Sequence, residues 1–288
     1  SRGLGDVYKR QDEAKAKPLK DTLKLQDAQA GCSASGDAAF FCDYVTKKIL
    51  NSKEFGKTIE ERKKLLYEGG LDIYTTMDVN ANSAAMKAAR AAIPADDASK
   101  MEVMMAAIKP GTGEVLGFGI NKIYDTSPEA NNDPARTAMN FAVDQIDGGG
   151  SGFPVGSTWK PINLVAWMRK GHSINEVLPA PGVVNLYRDI PGFRGVNTWD
   201  VKNSGGTPGY AESPLDGLVN SHNTTQAAMA KVIGLEPIAQ AAEDMGFHQA
   251  SKQKMNMHLK DDTANGGAYQ APLVIGGTAV SYTHLRAH

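Results

Sequence analysis

The chain has 288 residues, 41% of them hydrophobic, and a formal net charge of -1. That is enough apolar material for a full core, and the balanced charge leaves no basic field to draw in nucleic acid. No run approaches the ~18 apolar residues of a membrane-spanning helix and the first residues lack a signal-peptide core, so any membrane anchor is expected outside this stretch.

Residues 1–11 and 281–288 are mixed polar stretches that continue neither neighbouring pattern, and both are set aside as a non-native leader and tail. Residues 12–68 are rich in Lys, Asp, Glu, Ala and Gln. Short helical stretches at 41–50 and 59–67 lack a strong apolar stripe, which predicts a linker more than a core. Cys32 and Cys42 lie ten apart in this linker, and either a small disulfide loop or two free thiols fits that spacing. With no further cysteine and no paired ligand spacing among the histidines, neither a metal nor a cofactor is expected. Gly56-Lys57-Thr58 has Asn51 where a phosphate loop needs its first glycine, and no strand precedes it.

At Gly69-Gly70 the composition changes. The alternation Leu71-Asp72-Ile73-Tyr74-Thr75-Thr76 predicts a half-buried strand, and Asp78 can cap a helix that runs to Ile93 and stops at Pro94. Residues 101–108 and 114–120 predict a hairpin around Lys109-Pro110-Gly111-Thr112-Gly113. Residues 121–152 are loop-like and end in Gly148-Gly149-Gly150-Ser151-Gly152. Val155-Gly156-Ser157-Thr158-Trp159-Lys160-Pro161 then opens a helix that closes at Lys170-Gly171. Because proline is tolerated only near a helix start, Pro161 puts Ser157 at or beside the N-terminus, where free N–H groups and the helix dipole stabilise negative charge.

Lys160 follows Ser157 by three residues and shares its helix face. A serine hydroxyl becomes a nucleophile when a base removes its proton, and a lysine can be that base once burial lowers its pKa. S-x-x-K alone is a weak signal, but Ser221-His222-Asn223 supplies an S-x-N triplet ahead of a second helix at 224–233, closed by Gly234. Trp159 is read as packing, and His222 as filler at a variable position.

With these two motifs the chain resembles the penicillin-binding protein and serine beta-lactamase superfamily, whose S-x-x-K, S-x-N and K-T-G set is a standard catalytic signature. Residues 69–78, 107–117, 156–161 and 272–281 are similar to segments of the class A penicillin-binding proteins. The resemblance implies a mixed α/β (α+β) transpeptidase-like fold, an antiparallel sheet flanked by helices with an all-helical lobe. It divides the chain into a linker (12–68) following an absent glycosyltransferase domain, and a partial transpeptidase domain (69–280). No Lys-Thr-Gly follows Ser221, so the domain is expected to be truncated before its third motif, and the sequence leaves open whether this piece is active alone. By the same resemblance Ser157 is the acylated nucleophile, Lys160 its base and Ser221 a proton relay, while Asn223, Thr158 and Gly156 contact substrate. The implied activity is D,D-transpeptidation of peptidoglycan stem peptides, with beta-lactams as acylating inhibitors. It would take place on the extracytoplasmic face of a bacterial membrane, with other cell-wall synthesis proteins as partners. Two other readings remain: a non-catalytic peptidoglycan-binding, beta-lactam-binding or scaffold module, and a serine beta-lactamase.

Overall fold

The computed structural model describes residues 31–191, 198–248, 250, 271–277, 279–280 and Lys15. The leader and tail inferred at 1–11 and 281–288 lie outside the described residues. Two apolar clusters organise what lies between.

The first cluster forms around a hairpin. β1 (Met104–Ile108) pairs antiparallel with β2 (Val115–Ile120), and the turn closes with Lys109 N–H on the Glu114 carbonyl at 2.9 Å. Against it lie α1 (Ala39–Asn51) and α3 (Val79–Ala92), with α2 (Ile59–Glu68) beside α1. Phe40, Phe41 and Tyr44 of α1 are buried with Met86, Val115, Phe118 and Ile120. Phe41 and Tyr44 meet Phe118 with ring centroids 5.7 and 5.5 Å apart. Residues 39–51, expected to be part of a connector, therefore supply one wall of a core. The sequence concealed this because Lys47, Lys48 and Asp43 break the apolar stripe. Lys47 pairs with Asp43 at 2.6 Å, and Lys48 reaches across to Asp147 at 2.6 Å.

Helix starts follow local capping chemistry. Thr58 and Glu61 form a reciprocal capping box at α2, which gives Gly56-Lys57-Thr58 a structural role. Asp78 accepts from Ala81 N–H at the start of α3. Asn82 of α3 is buried and bridges Phe118 N–H and the Asp37 carbonyl, both at 2.9 Å. A Cβ on Gly119 would sit 2.6 Å from the Ala85 carbonyl, so glycine lets α3 press onto β2. Cys32 and Cys42 are joined as a disulfide, which ties residues 31–38 to α1.

Residues 71–76, expected to be a strand, are not one. Leu71 and Ile73 are exposed and Tyr74 is 95% exposed. Alternation fixes the faces of a strand, but a strand also needs a ladder partner. Among the described residues its hydrogen bond to β2 comes at its end, from Thr76 Oγ1 to the Val115 carbonyl, and Asp78 N–H just beyond it donates to the Leu116 carbonyl.

The second cluster is mainly helical. α4 (Lys160–Arg169), α7 (Asn223–Ile233) and α8 (Leu235–Asp244) pack through Ala166, Ala227, Ala230, Ala239 and Ala242, all buried. Trp159, Ile162, Ile238 and Leu273 fill the space between them. The short helices α5 (Leu186–Asp189) and α6 (Pro214–Val219) flank this lobe. The remaining strands come in pairs: β3 (Ile123–Tyr124) parallel with β4 (Arg136–Thr137), β5 (Phe153–Pro154) antiparallel with β8 (Ala279–Val280), and β6 (Val183–Asn185) antiparallel with β7 (Thr198–Asp200). The mixed helix-and-strand class is borne out. Its strands are distributed over four two-stranded sheets among the described residues, where one central sheet was expected. No described helix is long and apolar enough to cross a membrane.

If α1 is core, Phe41→Ala will lower unfolding stability by about 3–5 kcal/mol in urea titration, the usual cost of emptying a buried aromatic site. A loss below about 1 kcal/mol would restore the connector reading.

Candidate active site

Residues 156–159 (Gly-Ser-Thr-Trp) form a 3-10 turn that runs directly into α4, with Pro161 in its first turn. Proline has no N–H to lose there, which is why the helix can begin at that point. The turn exposes Ser157 and Thr158 and buries Trp159 and Lys160. Trp159 is packing: it is fully buried, edge-on to Phe247 with centroids 5.3 Å apart, and its indole N–H donates to Asn163 Oδ1 at 3.0 Å.

Lys160 is only 1% exposed. Its Nζ donates to the Ser221 carbonyl at 2.6 Å and lies 3.0 Å from the Ser221 hydroxyl. Burial removes the water that stabilises an ammonium, and this pushes the amine below the usual lysine range. Lys160 and Ser221, 61 residues apart in sequence, are thus brought together. Ser157 stands at the head of the same helix. Its carbonyl accepts the Lys160 N–H, and among the described residues no hydrogen bond engages its hydroxyl.

The three residues proposed as substrate contacts are occupied locally. Thr158 Oγ1 donates to the Val155 carbonyl at 2.6 Å, and Gly156 N–H donates to the Gly276 carbonyl at 3.0 Å. Asn223 Nδ2 donates to the Lys202 carbonyl at 2.8 Å, which leaves its Oδ1 as the group able to accept from a ligand. Gly276 lies so close to Gly156 that a Cβ there would strike the Gly156 carbonyl, and its φ of +73° also favours glycine. Residues 271–277 therefore brace the turn that carries Ser157.

Several positioning residues were missed by the sequence reading. Asn163, fully buried one turn after Lys160, donates to Gln226 Oε1 at 2.8 Å and to the Val274 carbonyl at 2.7 Å. It locks α4 to α7 and to the 271–275 turn. Its three-residue spacing from Lys160, on the Ser157–Lys160 face, was the available signal. His222 caps α7 only by its backbone, so the orphan Thr224 N–H is taken by Asn203 Oδ1 at 3.0 Å. No sequence pattern marks Asn203.

No family model and no curated protein matches the sequence. Solved structures do match. PonA1 of Mycobacterium tuberculosis in complex with penicillin V has a TM-score of 0.60 at 20% identity, over 84% of this chain and 56% of that one. The penicillin-binding protein PonA1 structure from the same organism has a TM-score of 0.55 at 19% identity, over 84% and 54%. The imipenem acyl-enzyme complex of M. tuberculosis penicillin-binding protein A has a TM-score of 0.50 at 19% identity, over 82% and 56%. The chain thus has the fold of the penicillin-binding proteins, and it spans about half the length of these structures.

The Lys160 shift has a thermodynamic sign. Its folded pKa lies below its unfolded value, so the unfolded chain binds more protons and stability rises with pH until the unfolded lysine also titrates. Lys160→Met removes that dependence. Urea titrations of the two proteins should show the wild type gaining on Lys160→Met as pH is raised from neutrality toward about 10. Parallel pH curves would mean that Lys160 is not shifted.

Proposed function

We propose that this chain belongs to a D,D-transpeptidase that cross-links peptidoglycan stem peptides through an acyl-enzyme on Ser157, and that beta-lactams acylate the same serine. The observation that carries this reading is the desolvated Lys160 amine, hydrogen-bonded to Ser221 and rooted in the first turn of the helix headed by Ser157.

In the proposed reaction neutral Lys160 takes the Ser157 proton as Oγ bonds to the carbonyl carbon of the penultimate D-alanine. The carbon–nitrogen bond to the terminal D-alanine then breaks, and the departing amine receives the proton from Lys160 through the Ser221 hydroxyl. An amine of a second stem peptide attacks the ester and loses its proton to the same lysine, which passes it to the departing Ser157 oxygen as the ester bond breaks. The exposed Ser157 hydroxyl suits a large peptide substrate. Nucleophile–base hydrogen bonds are often long in free enzymes and tighten on substrate, which fits a Lys160 resting on Ser221. The Ser157 N–H is one oxyanion donor. The second donor and the substrate-carboxylate contact belong to the K-T-G element in the resemblance, so the complete reaction is proposed for the full-length protein.

A structure of a penicillin V complex and one of an imipenem acyl-enzyme among the matches support a beta-lactam-reactive site of this shape. The Cys32–Cys42 disulfide suits an oxidising compartment, consistent with the extracytoplasmic location proposed for the protein.

Fluorescent penicillin should label the full-length protein in a long-lived adduct that Ser157→Ala abolishes. Lys160→Ala should slow acylation by about 10²–10⁴-fold, the usual worth of a general base, while circular dichroism stays unchanged. Labelling of Ser157→Ala at the wild-type rate would refute the nucleophile, and rapid turnover of the drug would indicate a beta-lactamase.

A further inference from the structure

Ser221 is one of two described non-glycine residues with positive φ, at 54°. Its place explains why. His222 N–H bonds the Gly217 carbonyl at 2.8 Å and Ser221 N–H bonds the Leu218 carbonyl at 3.0 Å, the pair of bonds that closes a helix in a Schellman motif. The left-handed position of that motif normally belongs to glycine. A serine there costs about 1 kcal/mol or more, and such strain persists only where surrounding contacts over-determine it. The strained conformation is what turns both the carbonyl and the hydroxyl of Ser221 onto Lys160.

The contacts that over-determine it converge on Glu212, a carboxylate with no role in the scheme above. Glu212 is 6% exposed. Its backbone exchanges hydrogen bonds with Leu178, N–H to carbonyl at 3.1 Å and carbonyl to N–H at 2.9 Å, and Ser213 after it caps α6. The residue is therefore fixed before its side chain is considered. That side chain takes His222 Nδ1–H on its two oxygens, at 2.9 and 3.0 Å, and the Thr225 hydroxyl on one of them. His222 is 9% exposed, with Tyr210 edge-on to its ring at 5.5 Å. Glu212 thus grips the residue immediately after Ser221 and the first turn of α7, where a carboxylate also meets the positive end of the helix dipole.

We infer that Glu212, acting through His222 and Thr225, is a positioning residue that holds the Ser221 turn in the strained form presenting its hydroxyl to Lys160. The assignment rests on the acyl-enzyme reading given above. It makes His222, expected as filler at the variable position of S-x-N, the handle by which the turn is held.

The test is single-turnover acylation of the full-length protein by fluorescent penicillin, resolving the dissociation constant of the initial complex from the acylation rate constant. Glu212→Ala should lower the rate constant about 10²-fold, the scale of an ångström misplacement, and leave the dissociation constant within about twofold. His222→Ala, which leaves the Thr225 contact in place, should lower the rate constant about tenfold or more. Glu212→Gln keeps an oxygen that accepts from both partners and should recover to within about fivefold of wild type. The inference is overturned if both alanine variants acylate at the wild-type rate, or if Glu212→Gln is no better than Glu212→Ala. It is overturned equally if the unfolded fraction seen by circular dichroism accounts for the whole loss. A wild-type protein that is not labelled at Ser157 would instead sink the acyl-enzyme reading, and this assignment with it.

Discussion

A buried amine must find acceptors to replace the water it has lost, and Lys160 finds both of its own on one residue, Ser221. The rest of the site depends on that contact. Burial alone would only disfavour the charged form of Lys160 and cost stability. Contact with a hydroxyl able both to accept and to donate turns the same burial into a proton-transfer arrangement. The cost of desolvation and the capacity to act as a base are the same physical quantity seen from stability and from chemistry.

Holding the contact requires that α4 and the turn between α6 and α7 keep a fixed relation, and the lobe secures this with polar and apolar means. The small buried residues Ala166, Ala227 and Ala230 let the helices approach closely, so a modest backbone shift would open voids along the interface. Asn163 and Gln226 then fix the register, because either one displaced would be left with an unpaired polar group in a dry interior. Apolar packing provides cohesion there, and the amides select one arrangement out of those that cohesion alone would allow.

The parts of the molecule legible in sequence are those encoded over a few residues. Asp78 announced a helix start by capping chemistry, Pro161 placed the start of α4, and the Lys109–Gly113 turn joined two strands. The pairs Ser157 with Lys160 and Ser221 with Asn223 were visible for the same reason, each lying within one turn of chain. What escaped detection depends on distant partners. Residues 71–76 alternate correctly yet lack a ladder partner among the described residues. The burial of α1 is decided by Phe118 across the core, and the close approach of Gly276 to Gly156 joins points 120 residues apart. Glu212 is the extreme case, since a lone glutamate before a helix cap looks like any solvated charge until His222 and Thr225 are placed beside it.

The left-handed Ser221 shows how local rules and function part company. A chain selected for helix termination alone would put glycine at that position, relieving the strain while keeping both closing hydrogen bonds. Glycine would also retain the carbonyl that accepts from Lys160, so the lysine would keep one replacement for its lost water. Only the hydroxyl would vanish. The side chain that makes the turn unfavourable is thus the one part of it that termination does not need, and it is the part aimed at the buried amine. Strain at that residue, held by a buried carboxylate from a different segment, is what separates this turn from an ordinary helix end.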